Sequence, residues 1–335
     1  DYLCNPGIDA RLKAHYRLHP EDDEGLRNAL GVDFRNVEAP FNGPIRFDPL
    51  PGRRINEWGI HTRWIEHASG GYWDYCDFPL QDADLEQILE WPIPEVDDFD
   101  YAELVEQCRR WKDFYLVLGN PGVGDFINHT GMLRSMEMVL MDLYEGEEET
   151  LALFDRRLNL QLKMLERCLD LAKGTIDMLW IGDDLGTQIA PILSSELFRQ
   201  HLRPRHQKLV DLGKAYGATV MIHSCGSSSW AFDDFIEMGI EVVDTLQPEA
   251  RNMDPAYLKS KYGQRLSFHG CISTAGPVVA GTVEETVAYV REKLDILMPG
   301  GGYALAPTHQ LQDNSRTENV IALYETAREY GRYRK

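Results

Sequence analysis

His223-Ser224-Cys225-Gly226 holds the residues of this chain best suited to chemistry. An imidazole and a thiol stand two positions apart, directly after the apolar run Ala218 to Ile222, which reads as a buried strand. Residues i and i+2 of an extended segment point the same way, so both side chains can reach one ion. Thiolate and neutral imidazole are ligands that zinc prefers, and a catalytic zinc takes about three protein ligands and keeps one position open. The same tetrapeptide also reads as a buried cysteine beside a hydrogen-bonded histidine. A third ligand has two candidates. One is His309, at the end of Ala306-Pro307-Thr308-His309; the other is Cys271, in His269-Gly270-Cys271, which repeats the His-x-Cys spacing. Spacing alone does not choose between them, and Cys271 also reads as a small buried residue.

Other polar groups collect at the ends of apolar runs. Asp183 and Asp184 are adjacent. On an extended chain they face opposite sides, so one faces the site as a catalytic carboxylate while the other caps the following turn. Asn120, Gln188, Gln247 and Cys271 are candidate substrate-binding residues, and the amides serve equally as partners for buried backbone. No Lys or Arg stands among these strand-end residues, which argues against a phosphorylated sugar as substrate. His61 and His129 are lone histidines with ordinary structural readings, and the aromatic residues Trp58, Trp64, Tyr72, Trp73 and Tyr75 read as packing.

The elements that must position these groups alternate. Strands at Tyr115–Leu118, Asp177–Ile181, Thr219–His223, Ile240–Leu246, Leu266–His269 and Tyr303–Ala306 are separated by helices. These cover Leu133–Leu143, Glu147–Ala172, Ser195–Tyr216, Trp230–Met238, Pro255–Tyr262 and Val283–Leu297, with a last helix at Thr317–Tyr330. Alternation of this kind implies parallel strands with right-handed crossovers. It predicts an α/β fold, a (β/α)₈ TIM barrel with an irregular N-terminal extension. The extension spans residues 1–100 and packs on the barrel of residues 101–335. Within it, Arg11–Tyr16 and Asp22–Leu30 read as helical, and Trp58–Glu66 and Gly71–Cys76 as strands around a Gly70-Gly71 turn. The acidic run Glu95 to Asp100 reads as a solvated loop. Loops after barrel strands share one face, and that face carries the chemistry. A doubly wound sheet is the alternative, but Gly119-Asn120-Pro121-Gly122-Val123-Gly124 does not fit the dinucleotide fingerprint.

Composition narrows the partners. The 335 residues are 43% hydrophobic and carry a formal net charge of −20. Such a polyanion is repelled by nucleic-acid phosphates and by anionic membrane surfaces. No apolar run is long enough to span a bilayer, and no secretory signal is visible. Six scattered cysteines suggest reduced thiols in a cytoplasmic protein rather than a disulfide framework.

Taken together, several motifs resemble the uroporphyrinogen decarboxylase superfamily. They are Gly182-Asp183-Asp184-Leu185-Gly186-Thr187-Gln188, His223-Ser224-Cys225-Gly226, Gly300-Gly301-Gly302-Tyr303, Ala306-Pro307-Thr308-His309 and Glu318-Asn319-Val320, with Met141-Asp142-Leu143 upstream. The similarity runs from about residue 85 to the C-terminus. The resemblance implies a (β/α)₈ barrel and one of two chemistries: cofactor-free decarboxylation, or methyl transfer involving a corrinoid protein or a thiol. The N-terminal segment Asp1 to Gly43 does not resemble the arginine-rich motif of the decarboxylases. The methyltransferase branch is similar in its His-x-Cys followed by a late cysteine, which together bind zinc. His223 and Cys225 match the first two positions, and His309 occupies the third, giving a His-Cys-His set. The implied activity is zinc-dependent transfer of a methyl group from a small methylated compound, a methyl ether, to a corrinoid protein. No corrinoid-binding Asp-x-His-x-x-Gly motif occurs in this chain, so the corrinoid comes with a partner. A homodimer is expected at the level of the superfamily. The alternative is a metal-independent decarboxylase or lyase acting on a small acid through Asp183 and Asp184. A barrel that only binds a ligand is the non-enzymatic reading, disfavoured by the crowding of ionisable groups at strand ends.

Overall fold

The computed structural model describes residues 1–67 and 70–333. Its strands are β1 (Phe34–Val37), β2 (Arg54–Ile55), β3 (His61–His67), β4 (Gly70–Cys76), β5 (Tyr115–Gly119), β6 (Met178–Gly182), β7 (Thr219–His223), β8 (Val242–Thr245), β9 (Ser267–Ile272) and β10 (Tyr303–Pro307). Seven of them form one sheet in the order β1-β5-β6-β7-β8-β9-β10. Neighbours run parallel: Val117 pairs with Met178, Val243 with Phe268, and Leu305 with Gly270. The architecture is the TIM-barrel-like α/β fold expected from the alternation of elements. Strands of this kind are covered on both faces and therefore read as unbroken apolar runs; all five residues of β6 are buried.

Residue contacts group the chain into two units. The first comprises residues 1–34, 185–191 and 223–335; the second comprises 35–184 and 192–222. In the first, helices Pro6–His15, Asp23–Leu30, Val283–Leu297 and Thr317–Tyr330 share one apolar core built on Ile8, Leu12, Leu26, Val290, Leu294 and Leu323. In the second, Ile60, Leu80, Ile88, Leu133 and Leu153 form a separate cluster. The antiparallel sheet β2-β3-β4 belongs to this unit. Gly70 and Gly71, expected from sequence to form a turn, lie within β4, and residues 68–69 lie outside the described residues.

Three local departures from expectation have physical causes. The segment expected to be an extension supplies β1 to the main sheet; it is four residues long, and its burial alternates although Arg35 is among the buried positions. The single helix expected at Leu133–Leu143 is two, Phe126–Arg134 and Met136–Glu145, split at Ser135, whose φ is 67° and whose Oγ caps the second helix at Met138 N. The helix expected over Ser195–Tyr216 passes through a π-helical turn at Phe198–Leu202 before Arg203–Ala215. Pro204 cannot donate to the turn before it, which breaks the regular ladder there.

Candidate active site

β7 ends in the reactive tetrapeptide. Val220, Met221 and Ile222 are buried, and the chain then turns through Gly226 at φ 70°. A Cβ at Gly226 would lie 2.2 Å from the Gly186 carbonyl oxygen, so only glycine fits this turn. The turn leaves the His223 Nε2 3.3 Å from the Cys225 Sγ. The other ring nitrogen of His223, Nδ1, is 2.6 Å from the Asp244 Oδ2 on β8. The second oxygen of Asp244 lies 2.7 Å from the His269 Nδ1 on β9. One buried carboxylate thus ties two histidines from two neighbouring strands.

The electrostatics follow from this tie. Burial works against the Asp244 anion, but the charge of His269 and the hydrogen bonds from His223 and His269 hold it down to about 2. Burial also works against a charged His223, yet its bonds to Asp244 and Cys225 keep it well above the ordinary imidazole range. A carboxylate on the far nitrogen of a histidine fixes the tautomer and aims the near nitrogen, the arrangement found behind metal-ligating histidines.

After β6, the chain carries Asp183 and Asp184. Gly182 lets this segment pass close to the loop after β5, since a Cβ there would lie 2.2 Å from the Pro121 carbonyl oxygen. Asp183 is 1% exposed and its Oδ1 accepts a 3.3 Å bond from Ile127 N. Burial, with Asp125 and Asp184 nearby, raises its carboxyl well above the ordinary range. Asp184 Oδ2 accepts from the Asn128 side chain at 3.0 Å. His223 and Cys225, two residues apart at the end of β7, bring one ring nitrogen and one sulfur together as donors for a metal ion. His309 lies on the exposed segment after β10, with its Nδ1 3.5 Å from the Gln312 side chain.

The remaining sequence candidates are placed as follows. Gln247 accepts from Gly226 N at 3.2 Å and so braces the Cys225 turn. Gln188 is exposed, its carbonyl accepting from Arg251 N. Asn120 accepts from Gly122 N at 2.8 Å. Cys271 lies inside β9 with no exposed surface, and burial pushes its thiol up to about 12.

Several buried ionisable groups near these residues went unnoticed in the sequence. Asp244 had a signal, a carboxylate within an apolar buried strand, which needs partners to be tolerated. Asp125 caps helix Phe126–Arg134 through Asn128 N, and burial raises its carboxyl to about 6 although Arg157 opposes this. His206 is fully buried; its Nε2 lies 2.9 Å from the Gly124 carbonyl oxygen, and burial pushes it down to about 4. Arg157 comes from the middle of helix Glu148–Ala172 and donates to the Gly122 and Asp125 carbonyl oxygens at 2.5 and 2.8 Å. A cation therefore does stand behind the end of β5, where the strand ends alone offered none.

Comparison with known proteins agrees with this architecture. The sequence profile of the uroporphyrinogen decarboxylase family matches residues 126–330, more than half of the chain. The chain belongs to the uroporphyrinogen decarboxylase family, a family of enzymes. Among solved structures, a methyltransferase from Methanosarcina mazei superposes with a TM-score of 0.64 at 18% identity, covering 99% of this chain and 92% of the other. A 3-keto-D-glucoside 4-epimerase from E. coli gives a TM-score of 0.40 at 13% identity, over 70% of this chain and 84% of the other. No curated protein matches the sequence. Among the described residues, no helix is long and apolar enough to cross a membrane.

Proposed function

We propose that this protein is a zinc-dependent methyltransferase that moves a methyl group from a small methylated compound, a methyl ether, to a corrinoid protein. The observation that carries the reading is the meeting of His223 and Cys225 at 3.3 Å, with Asp244 bonded to the remote ring nitrogen. A thiol and an imidazole with a carboxylate behind it make a donor set that fits zinc. His223 and Cys225 are two of the ligands. The third is His309, which stands at the late position of the family motif, or an aspartate such as Asp184. Zinc held by these residues would supply Lewis acidity toward the ether oxygen.

The chain's own residues do the rest. Asp244 holds the His223 ring so that Nε2 faces Cys225. Once its methyl group has gone to the corrinoid partner, the ether oxygen needs a proton, and Asp183 and Asp184 are the carboxyl groups proposed to manage it. Ile127 N and the Asn128 amide keep these two carboxyls in fixed orientations. Asn120, Gln188 and Gln247 offer amides for orienting the substrate, while Cys271 is packed in the strand that carries His269. The M. mazei methyltransferase, alike in fold across nearly the whole chain, supports this branch over decarboxylation. A cytoplasmic homodimer working with a separate corrinoid protein completes the reading.

The test is zinc content and methyl transfer to a corrinoid protein, for wild type beside Cys225→Ala, His309→Ala and Asp184→Ala. The expected result is about one zinc per chain, lost with its activity in Cys225→Ala and in one of the other two variants. Full transfer by Cys225→Ala refutes the proposal. Family membership supports a second reading, metal-free decarboxylation of a small acid by Asp183 and Asp184; carbon dioxide release by metal-free protein is its signature.

A further inference from the structure

Arg157 is 6% exposed and has no ion pair among the described residues. Two of its nitrogens are engaged by backbone carbonyls, and its Nε has no hydrogen-bond partner. A buried cation is normally paired, because desolvating it without an anion is costly. Burial has lowered its pKa to about 10, against the pull of Asp125, Asp183 and Glu57. Beside it lies a cavity of about 350 Å³, within the range of small-molecule sites. Its wall carries Phe41, Phe99 and Trp58. Phe41 and Phe99 meet edge to face at 5.8 Å, and the Trp58 ring lies 5.5 Å from the Arg157 guanidinium carbon. Asn120 also borders this cavity. Its Oδ1 already accepts from Gly122 N, and its Nδ2 has no hydrogen bond among the described residues, so it can offer the cavity a donor.

We infer that this cavity binds a small monocarboxylate with an apolar body of about the size of a benzene ring, its carboxylate received by Arg157 and Asn120. The chemistry of the walls selects this class. Each terminal nitrogen of Arg157 spends one of its two N–H groups on a backbone carbonyl, and the N–H groups left there and on Asn120 call for an acceptor, of which a charged one makes the stronger bond. Three aromatic side chains call for a flat apolar body. Glu57, which also lines the cavity, disfavours a second negative charge on the ligand. The cavity shares Asn120 with the substrate-orienting residues of that reading but is lined by none of the proposed zinc ligands, so ligand binding there is measured independently of metal.

The probes are benzoate and its uncharged isostere benzamide, titrated calorimetrically into the full-length protein. Benzoate is expected to bind wild type at least ~10-fold more tightly than benzamide, as a charge-assisted bond requires. In Arg157→Gln, which keeps a donor for one loop carbonyl, that preference is expected to vanish. Asn120→Ala serves where Arg157→Gln does not fold, and is expected to weaken benzoate several-fold and benzamide less, narrowing the preference. Equal affinity for the two probes in wild type, or no benzoate binding up to about 10 mM, overturns the inference. So does an unaltered preference in a folded Arg157→Gln protein or, if that variant does not fold, in Asn120→Ala.

Discussion

Replacing Asp244 by Asn tests whether one carboxylate organises the metal site. Asp244 gives one oxygen to His223 Nδ1 at 2.6 Å and the other to His269 Nδ1 at 2.7 Å. Asparagine has nearly the same shape but one acceptor oxygen and one NH₂ group. It can therefore serve only one histidine as Asp does, and the other must turn a bare Nδ1 toward the amide. The lost charge-assisted bond costs about 1.5–3 kcal/mol of stability. If His223 is the ring that changes tautomer, its proton moves to Nε2, the nitrogen facing Cys225, and the lone pair needed by a metal is gone. Loss of a partner behind a ligating histidine lowers metal affinity roughly 10–100-fold, equivalent to about 1.4–2.8 kcal/mol. The assay is zinc competition against a chromophoric chelator, paired with urea unfolding of the metal-free protein. A folded Asp244→Asn protein that holds zinc within about twofold of wild type, well inside the change expected, refutes the reasoning.

The other predictions concern the packing around the site. His206 is buried with its pKa near 4, against about 6.5 unfolded. Between these values the unfolded chain binds a proton that the folded chain refuses, so stability falls as pH falls through this window, by up to about 3 kcal/mol. His206→Gln, which keeps a donor for the Gly124 carbonyl, is expected to flatten that acid limb in urea titrations at several pH values; an unchanged slope contradicts it. Asp125 has the opposite sign, because its pKa is raised to about 6 from an ordinary 3.8. The folded chain holds a proton that the unfolded chain loses, so stability is lost as pH rises from 3.8 through 6. Asp125→Asn keeps a cap for Asn128 N and should gain about 2–3 kcal/mol relative to wild type between pH 4 and pH 8; a pH-independent difference counts against it. Gly226→Ala forces a Cβ to 2.2 Å from the Gly186 carbonyl oxygen at a φ of 70°, and a loss of at least about 2 kcal/mol is expected in thermal unfolding.

Much of this architecture was legible in the chain because its strands are apolar runs and its helices long and periodic. Thr219–His223 and Tyr303–Pro307 fall within a residue of where their hydrophobicity places them. The His223–Cys225 pair was legible too, since an i, i+2 spacing at a strand end is a local property. What the sequence hid is what depends on contacts distant along the chain. Asp244 is 21 residues from His223, and the two are joined only by the register of neighbouring strands. Arg157 lies mid-helix, where a charged residue usually marks the solvated face, yet it reaches the loop after β5. β1 was missed because four residues containing Arg35 and Asn36 carry too little apolar pattern to register. Its guanidinium sits over the Phe114 ring at 3.8 Å, a compensation invisible without the fold.

Arg157 and Gln161 stand one helical turn apart on helix Glu148–Ala172, and both clasp the loop that follows β5. Arg157 holds the carbonyl oxygens of Gly122 and Asp125, while Gln161 accepts from Gly124 N at 3.1 Å. A loop anchored at three successive points to a 25-residue helix has little freedom to swing open or shut. The cavity it borders is therefore a standing vestibule rather than a closing jaw. Its occupant should arrive by simple one-step association, with an observed rate that rises linearly with concentration and shows no plateau. Residence time, set by dissociation, would then be where variants of this wall differ from one another.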